Sequence, residues 1–320
     1  MRIVVTGAAG FVGGRLAREL LARGTLDGRA IDQLVLVDRG FAAPASDPRV
    51  RQVAGDLRDA AVRAALFGQR VDGLFHLAAT LTAEAERDFD GGLAMNLGGL
   101  LELLEDCRRQ GAGGPPLRLV FASSMAAFGP PFPAVVPDEF PQRPQTSYGV
   151  QKAIAELLLD DYTRRGFLDG RALRLPVVLL RPLGAAPALS EFISAVVREP
   201  LAGRPVACPF AADTAMPVAS VGAVARGLLR LYELPGRALG EVRAMNLPAL
   251  TVTIGDMLAA LERRVGAAAR ELVAWRPDAR LQSLIGSMPQ GFDSARAKAA
   301  GIQPEAAFDA VIDDFVQAYG

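Results

Sequence analysis

Residues 1–23 read MRIVVTGAAGFVGGRLARELLAR, and this stretch decides the fold. A short run rich in β-branched residues (2–6) passes directly into Gly7-Ala8-Ala9-Gly10-Phe11-Val12-Gly13 and then into a segment with helical apolar spacing. Small residues after a strand let the backbone turn tightly and come close to a pyrophosphate, whose charge the N–H groups at the helix start can meet. A glycine triplet alone is a weak signal. Set between a first strand and a first helix, it predicts a dinucleotide site built on Gly7, Gly10, Phe11, Val12 and Gly13.

The same alternation continues outward. Strands are expected at 2–6, 33–37, 49–53, 71–77, 117–122 and 173–179, with helices at 10–23, 58–67, 84–110 and 147–165. The strands are rich in Val, Leu and Phe with little polar alternation, as in sheets covered on both faces. The reading is an α/β fold: a doubly wound parallel sheet of Rossmann type, with ligands bound beyond the carboxyl ends of its strands. After about residue 181 Pro and Gly punctuate shorter elements, with helices near 189–198, 221–233 and 304–319. We therefore expect a nucleotide-binding domain over 1–180, with a strand near 242–246 returning to its sheet, and a smaller mixed α/β substrate lobe over 181–320.

Composition removes several function classes. The 320 residues carry 35 Lys+Arg against 35 Asp+Glu, so no electrostatic ground exists for a nucleic-acid or anionic-membrane partner. Two distant cysteines, Cys107 and Cys208, and a single histidine, His76, cannot make a Cys/His metal site or a disulfide framework. The cysteines read as reduced core residues and His76, inside the fourth strand, as a satisfied core histidine. The start resembles no signal peptide and no apolar run approaches the length of a bilayer span, so a cytoplasmic protein is expected.

The chemistry is concentrated at few positions. The second strand ends at Asp38, where a carboxylate can accept hydrogen bonds from the adenosine ribose and repel a 2′-phosphate; this favours NAD over NADP, although Arg39 next to it could accommodate the phosphate. Asp56, beside Leu57, either caps the adenine amino group or N-caps the helix that follows. With two lysines and four tyrosines in the chain, Tyr148-Gly149-Val150-Gln151-Lys152 still places one of each a turn apart on one helix face. A phenol needs about 4 kcal/mol to act as a base near pH 7, and a charge about 4 Å away is worth that much. Tyr148 with Lys152 is thus a sensible general base. Ser123 and Ser124 end the fifth strand, where a hydroxyl can reach the same substrate oxygen or simply cap the strand end.

Taken in order, the glycine loop, Asp38, Gly55-Asp56-Leu57, His76-Leu77-Ala78-Ala79, Asn96, Ser123-Ser124 and Tyr148 with Lys152 resemble the extended short-chain dehydrogenase/reductase family, over nearly the whole chain. That resemblance implies Tyr148 as acid/base, Lys152 holding the nicotinamide ribose and lowering the tyrosine pKa, and Ser124 bonded to the reacting oxygen. It places Leu77, Ala78, Ala79 and Asn96 around the cofactor and Leu175-Pro176 against the nicotinamide. Many relatives are sugar-nucleotide epimerases or dehydratases. The dehydratases' Asp-Glu pair is replaced here by Met125-Ala126, and the C-terminal stretch Met216-Pro217-Val218-Ala219-Ser220 offers little to a nucleotide diphosphate. Segments such as Pro133-Ala134-Val135-Val136-Pro137-Asp138 and Arg198-Glu199-Pro200-Leu201-Ala202-Gly203 are closer to members that oxidise the sugar acid D-erythronate at C2. A substrate carboxylate needs cationic or N–H donors; Arg181 is the candidate, with Thr82 and Ser123 as neutral donors. The resemblance also implies a homodimer paired through helices 84–110 and 147–165, whose Leu100, Leu103, Leu104, Leu157 and Leu158 face either the partner or their own sheet.

Overall fold

The computed structural model describes residues 1–112, 114–182 and 189–319. Six strands alternate with helices through the first half: β1 (Arg2–Thr6), β2 (Gln33–Asp38), β3 (Val50–Ala54), β4 (Gly73–His76), β5 (Leu117–Ser124) and β6 (Leu168–Leu175). In chain order the helices are α1 (Phe11–Arg23), α2 (Ala60–Phe67), α3 (Thr82–Arg87), α4 (Phe89–Leu93), α5 (Gly99–Gly111) and α6 (Ser147–Arg164). Then follow β7 (Val177–Leu179), α7 (Leu189–Leu201), β8 (Val206–Cys208), β9 (Ala215–Ser220), α8 (Val221–Glu233), β10 (Ala244–Asn246) and β11 (Leu250–Thr253). The chain ends in α9 (Ile254–Val265), α10 (Ala268–Glu271), β12 (Val273–Trp275), α11 (Ala279–Gly286), α12 (Ala295–Ala299) and α13 (Phe308–Tyr319).

The main sheet has seven strands, all parallel, in the order β10-β6-β5-β4-β1-β2-β3. Alternate residues of β1 show why its sequence lacks a polar face: Ile3 and Val5 pack with Leu16 and Leu20 of α1, while Val4 packs with Leu66 of α2 and Leu103 of α5. Strand order reverses between β1 and β4, so the carboxyl ends of these two strands diverge and open a crevice. Beyond Leu175 the chain builds a second sheet, β11-β9-β7, with its own apolar cluster that includes Ile193, Phe210, Met216 and Leu258.

Two expected elements are divided. The single strand expected over 173–179 is β6 followed by β7, because Pro176 has no N–H to continue the ladder and the chain there crosses from the main sheet to the second one. The helix expected over 84–110 is three helices and a π turn at Ala94–Gly98; it restarts at Asp88, whose carboxylate accepts the Gly91 N–H at 2.9 Å. Both cysteines are buried and free. Leu100, Leu103 and Leu104 face their own sheet, whereas Leu157 is 64% exposed. Among the described residues no helix is long and apolar enough to cross a membrane.

Candidate active site

The crevice at the ends of β1, β2 and β4 is a cavity of about 840 Å³, within the range of ligand clefts. Its floor is the loop joining β1 to α1. Gly7 has φ +70°, and a Cβ there would lie 2.7 Å from the Ala78 nitrogen; one on Gly13 would lie 2.1 Å from the Gly7 carbonyl oxygen. The two glycines let α1 start directly on the loop and let the loop pass the chain after β4. Gly10 N-caps α1 without a side-chain cap and the first turn holds no acid, so the dipole and N–H groups at Phe11, Val12 and Gly13 face the cavity uncompensated.

Along the cleft, the Asp38 carboxylate is held by the N–H groups of Ala9 at 2.9 Å and Arg39 at 2.8 Å, so its orientation is set by the backbone. Asp56 lines the wall with Leu57, but its carboxylate accepts the Arg58 N–H at 2.8 Å and pairs with the Arg58 guanidinium at 2.6 Å. Those hydrogen bonds hold its carboxyl below the ordinary aspartate range. The N-cap of α2 is Asp59. Leu77, Ala78 and Ala79 line the opposite wall. Asn96 does not reach the cavity: its amide clamps Thr80, accepting the backbone N–H at 2.8 Å and donating to the carbonyl at 2.9 Å, and donates to Gln151 at 2.6 Å. It holds Thr80, a lining residue of the cavity, from behind, where the family resemblance implied contact with the cofactor.

Ser124, Tyr148 and Lys152 converge at the next strand end. Thr146 N-caps α6 by accepting the Gly149 N–H at 3.1 Å, which places Tyr148 in the first turn. A Cβ on Gly149 would sit 2.1 Å from the Ala126 carbonyl oxygen, so the helix start lies flush on the 3-10 turn after Ser124. Tyr148 and Ser124 come together there, lining one pocket. Lys152, one turn on, is buried; its Nζ donates to the Ala122 carbonyl at 2.8 Å and lies 4.3 Å from the Phe121 ring centre and 5.4 Å from that of Tyr148.

Burial dominates the electrostatics. It pushes the Tyr148 phenol up to about 12, against the Ser124 hydrogen bond, and the Lys152 ammonium down to about 7, against the Glu156 carboxylate. The lowering of the tyrosine by its lysine that the family resemblance implies is therefore not seen in the protein alone, where burial and Ser124 set the phenol. His76 bonds Thr6 Oγ1 at 2.7 Å and stacks on Phe121; burial, then Lys152, pushes it down to about 3, which makes it a neutral core residue.

A smaller pocket of about 200 Å³ continues from the cleft, sharing Phe11, Leu77 and Arg181 with it. Ser124, Tyr148 and Lys152 line it together with Thr82, Leu175, Pro176 and Arg181. The Arg181 guanidinium lies 5.5 Å from the Phe11 ring centre and burial lowers its pKa. Ser123 also borders the pocket, yet it is buried and its hydroxyl donates to Glu156 at 2.5 Å. That commitment removes it from the substrate donors among which the sequence reading placed it. Two lining residues carried no local signal: Met288, after α11, and Tyr319, at the end of α13, which covers the cleft beside Phe11 and Arg18. Both arrive from the far end of the chain, and no motif spacing connects them to the glycine loop.

Similarity to known proteins agrees with this geometry. The model of the NAD dependent epimerase/dehydratase family matches residues 3–243. The chain is 44% identical to a D-erythronate dehydrogenase of Cupriavidus necator, over 100% of this chain and 99% of that protein. It is 36% identical to a D-erythronate dehydrogenase of Haemophilus influenzae, over 99% of each. A crystal structure described as the nucleoside-diphosphate-sugar epimerase from Agrobacterium tumefaciens superposes with a TM-score of 0.93 at 35% identity, covering 100% of this chain and 94% of that one. The matched residues run from the glycine loop through Tyr148 and Lys152 to the returning strand, and the chain belongs to the NAD-dependent epimerase/dehydratase family, the extended branch of the short-chain dehydrogenases/reductases, as an NAD-dependent oxidoreductase.

Proposed function

We propose that this enzyme oxidises the C2 hydroxyl of a small sugar acid, D-erythronate, to the 2-oxo acid. The observation that carries the reading is the small pocket lined by Tyr148, Ser124 and a cation, Arg181, beside the glycine-loop cleft. The names of the two relatives at 44% and 36% identity support the substrate. The glycine cradle and uncapped α1 fit a pyrophosphate and Asp38 fits the adenosine ribose, while Leu175 and Pro176 form the wall for the nicotinamide.

NAD, which the glycine loop and Asp38 would hold, would supply the acceptor for the hydride that leaves C2 with the electron pair of the C–H bond. Tyr148, as phenolate, takes the hydroxyl proton as the C–O bond becomes a carbonyl. Ser124 donates to that oxygen and fixes it between the two side chains. Lys152 carries the charge that makes a phenolate attainable and donates to the ribose. Arg181 pairs with the substrate carboxylate, with Thr82 as a neutral donor. In this reading residues 1–180 with the returning strand bind NAD, and residues 181–320 supply the substrate lobe. The exposed Leu101, Ile154 and Leu157 on α5 and α6 support a homodimer joined through these helices, in a cytoplasmic enzyme.

The likeness to the Agrobacterium protein, described as a nucleoside-diphosphate-sugar epimerase, favours a second reading, a sugar-nucleotide epimerase. Against it, Met216, Val218, Ala219 and Ser220 lie buried in β9, and Ser220 is spent capping α8, so this strand presents no cation to a diphosphate. The deciding experiment follows NADH at 340 nm with four- to six-carbon aldonates and uronates, and in parallel tests uridine and thymidine diphosphate sugars. NAD-dependent turnover of D-erythronate, with KM for the acid raised about tenfold or more in Arg181→Ala, is the expected result. Silence across the acids with conversion of a nucleotide sugar would overturn the reading.

A further inference from the structure

Glu156 lies one turn beyond Lys152 on α6, on the face that carries Tyr148, Lys152, Glu156 and Asp160 at four-residue steps. It is buried, and its carboxylate is held by donors from three other segments. Ser123 on β5 donates its hydroxyl at 2.5 Å, Gln142 in the loop before α6 donates its amide at 2.6 Å, and Arg174 on β6 spans both oxygens at 2.8 to 3.1 Å. Arg174 also donates to the Asp138 carbonyl at 2.7 Å and lies over the Phe128 ring. Each segment tied in this way leads to a group of the site. Ser123 precedes Ser124, Arg174 precedes Leu175 and Pro176, and Glu156 shares its helix with Tyr148 and Lys152.

A buried ion pair is a poor source of stability, because desolvating two charges offsets their attraction. Its placement here has a chemical counterpart. The titratable groups facing Lys152 are Tyr148 and Glu156 from its own helix and neutral His76 from β4; those facing Glu156 are Lys152, Asp160 and Arg174. The geometry points to Glu156 as a positioning residue of the reaction: it holds the ends of β5 and β6 to α6 and keeps Lys152 in its ammonium form. The inference rests on the role proposed above for Lys152. Burial pushes that lysine down to about 7, and Glu156 is the charge that opposes the fall. Without the carboxylate the lysine would be largely neutral near neutral pH and could not favour a phenolate at Tyr148.

The chain's two lysines, Lys152 and Lys298, make a direct test simple. Protein labelled with 13C at the lysine ε-carbons gives two signals, assigned with Lys298→Arg, and the titration of Lys152 is read without cofactor or substrate. In Glu156→Gln its midpoint should fall by about 1 to 2 pH units, a ~10- to 100-fold loss of proton affinity. Glu156→Asp, which keeps the charge, should move it by less than about half a unit. In turnover, the alkaline limb of kcat should move down with the lysine; a role confined to holding the fold would lower Tm and leave the midpoint in place. Glu156→Gln leaves Arg174 buried without its partner, so Glu156→Gln/Arg174→Met carries the measurement if the single variant does not fold. An unmoved Lys152 midpoint overturns the inference, and so does the failure of both variants to fold, which would assign Glu156 to the fold alone. Absence of D-erythronate turnover would leave the lysine titration readable, so the two readings fail separately.

Discussion

Lys152→Met removes the charge beneath Tyr148 while keeping an unbranched side chain. With the phenol pushed up to about 12, ionising Tyr148 at pH 7 costs about 7 kcal/mol, at about 1.4 kcal/mol per pH unit. The ammonium lies 5.4 Å from the ring centre, where a unit charge stabilises a phenolate by about 3 kcal/mol at an effective dielectric near 20. The remaining ~4 kcal/mol is left to the positive charge that a bound oxidised nicotinamide would bring, since a unit charge about 4 Å away is worth about that much. Losing the lysine's share raises the tyrosine by about 2 pH units. A base must be deprotonated to act, so the acid limb of kcat/KM moves up by the same amount. Between pH 6 and 7, where the parent ammonium is largely formed, the variant should lose about 100-fold, and the deficit should narrow about tenfold per pH unit as pH rises. Initial rates of NADH formation from pH 6 to 10.5, at saturating NAD because Lys152 is also the proposed ribose donor, give the profile. A uniform loss at every pH, with the acid limb in place, would refute electrostatic assistance and leave Lys152 a cofactor ligand only.

Three further variants test separate parts of the site. Gly149→Ala forces a Cβ to within 2.1 Å of the Ala126 carbonyl oxygen, so α6 must lift from the turn after Ser124; kcat should fall about 100-fold with NAD affinity little changed, and stopped-flow turnover beside a cofactor titration separates the two. Asp38→Ala removes the carboxylate fixed by Ala9 and Arg39, and the ratio of kcat/KM for NAD over NADP should drop about tenfold or more; an unchanged ratio would take the discrimination away from Asp38. Asp138 accepts the Asn246 N–H at 2.5 Å, and burial raises its carboxyl to about 6. An acid whose folded pKa is raised binds its proton more tightly when folded, so this contribution is complete below about pH 4 and is lost as pH rises to about 6, by up to about 3 kcal/mol. Asp138→Asn removes that dependence, and urea melts of parent and variant should agree at pH 4 and diverge in the variant's favour by pH 7; melts that stay parallel would sink the assignment.

What was legible in the sequence shares one property: its signal is local. The strand, glycine loop and helix of residues 1–23 state their geometry within one turn of chain, and Tyr148 and Lys152 meet because four residues make a helical turn. The readings that needed correction depend on what a residue meets far away in sequence. Pro176 looked like one position in a long apolar strand, and only the pairing of Val177–Leu179 with β9 shows that it ends one sheet and begins another. Ser123 and Ser124 are alike as residue types, and only the family resemblance singles out Ser124; alternation along β5 turns Ser123 toward Glu156 and leaves Ser124 at the strand end beside Tyr148. Asn96 carries a polar side chain where the family resemblance expects a cofactor contact, but the π turn directs it to Thr80 and Gln151. Glu156 escaped notice for the converse reason. A glutamate on a helix reads as a solvated charge, and nothing within a few residues announces the arginine eighteen positions later that makes burying it tolerable. Local pattern thus names groups that line the cleft and the small pocket, while the groups that fix their charge and register are set by contacts between strands and helices that sequence spacing does not encode.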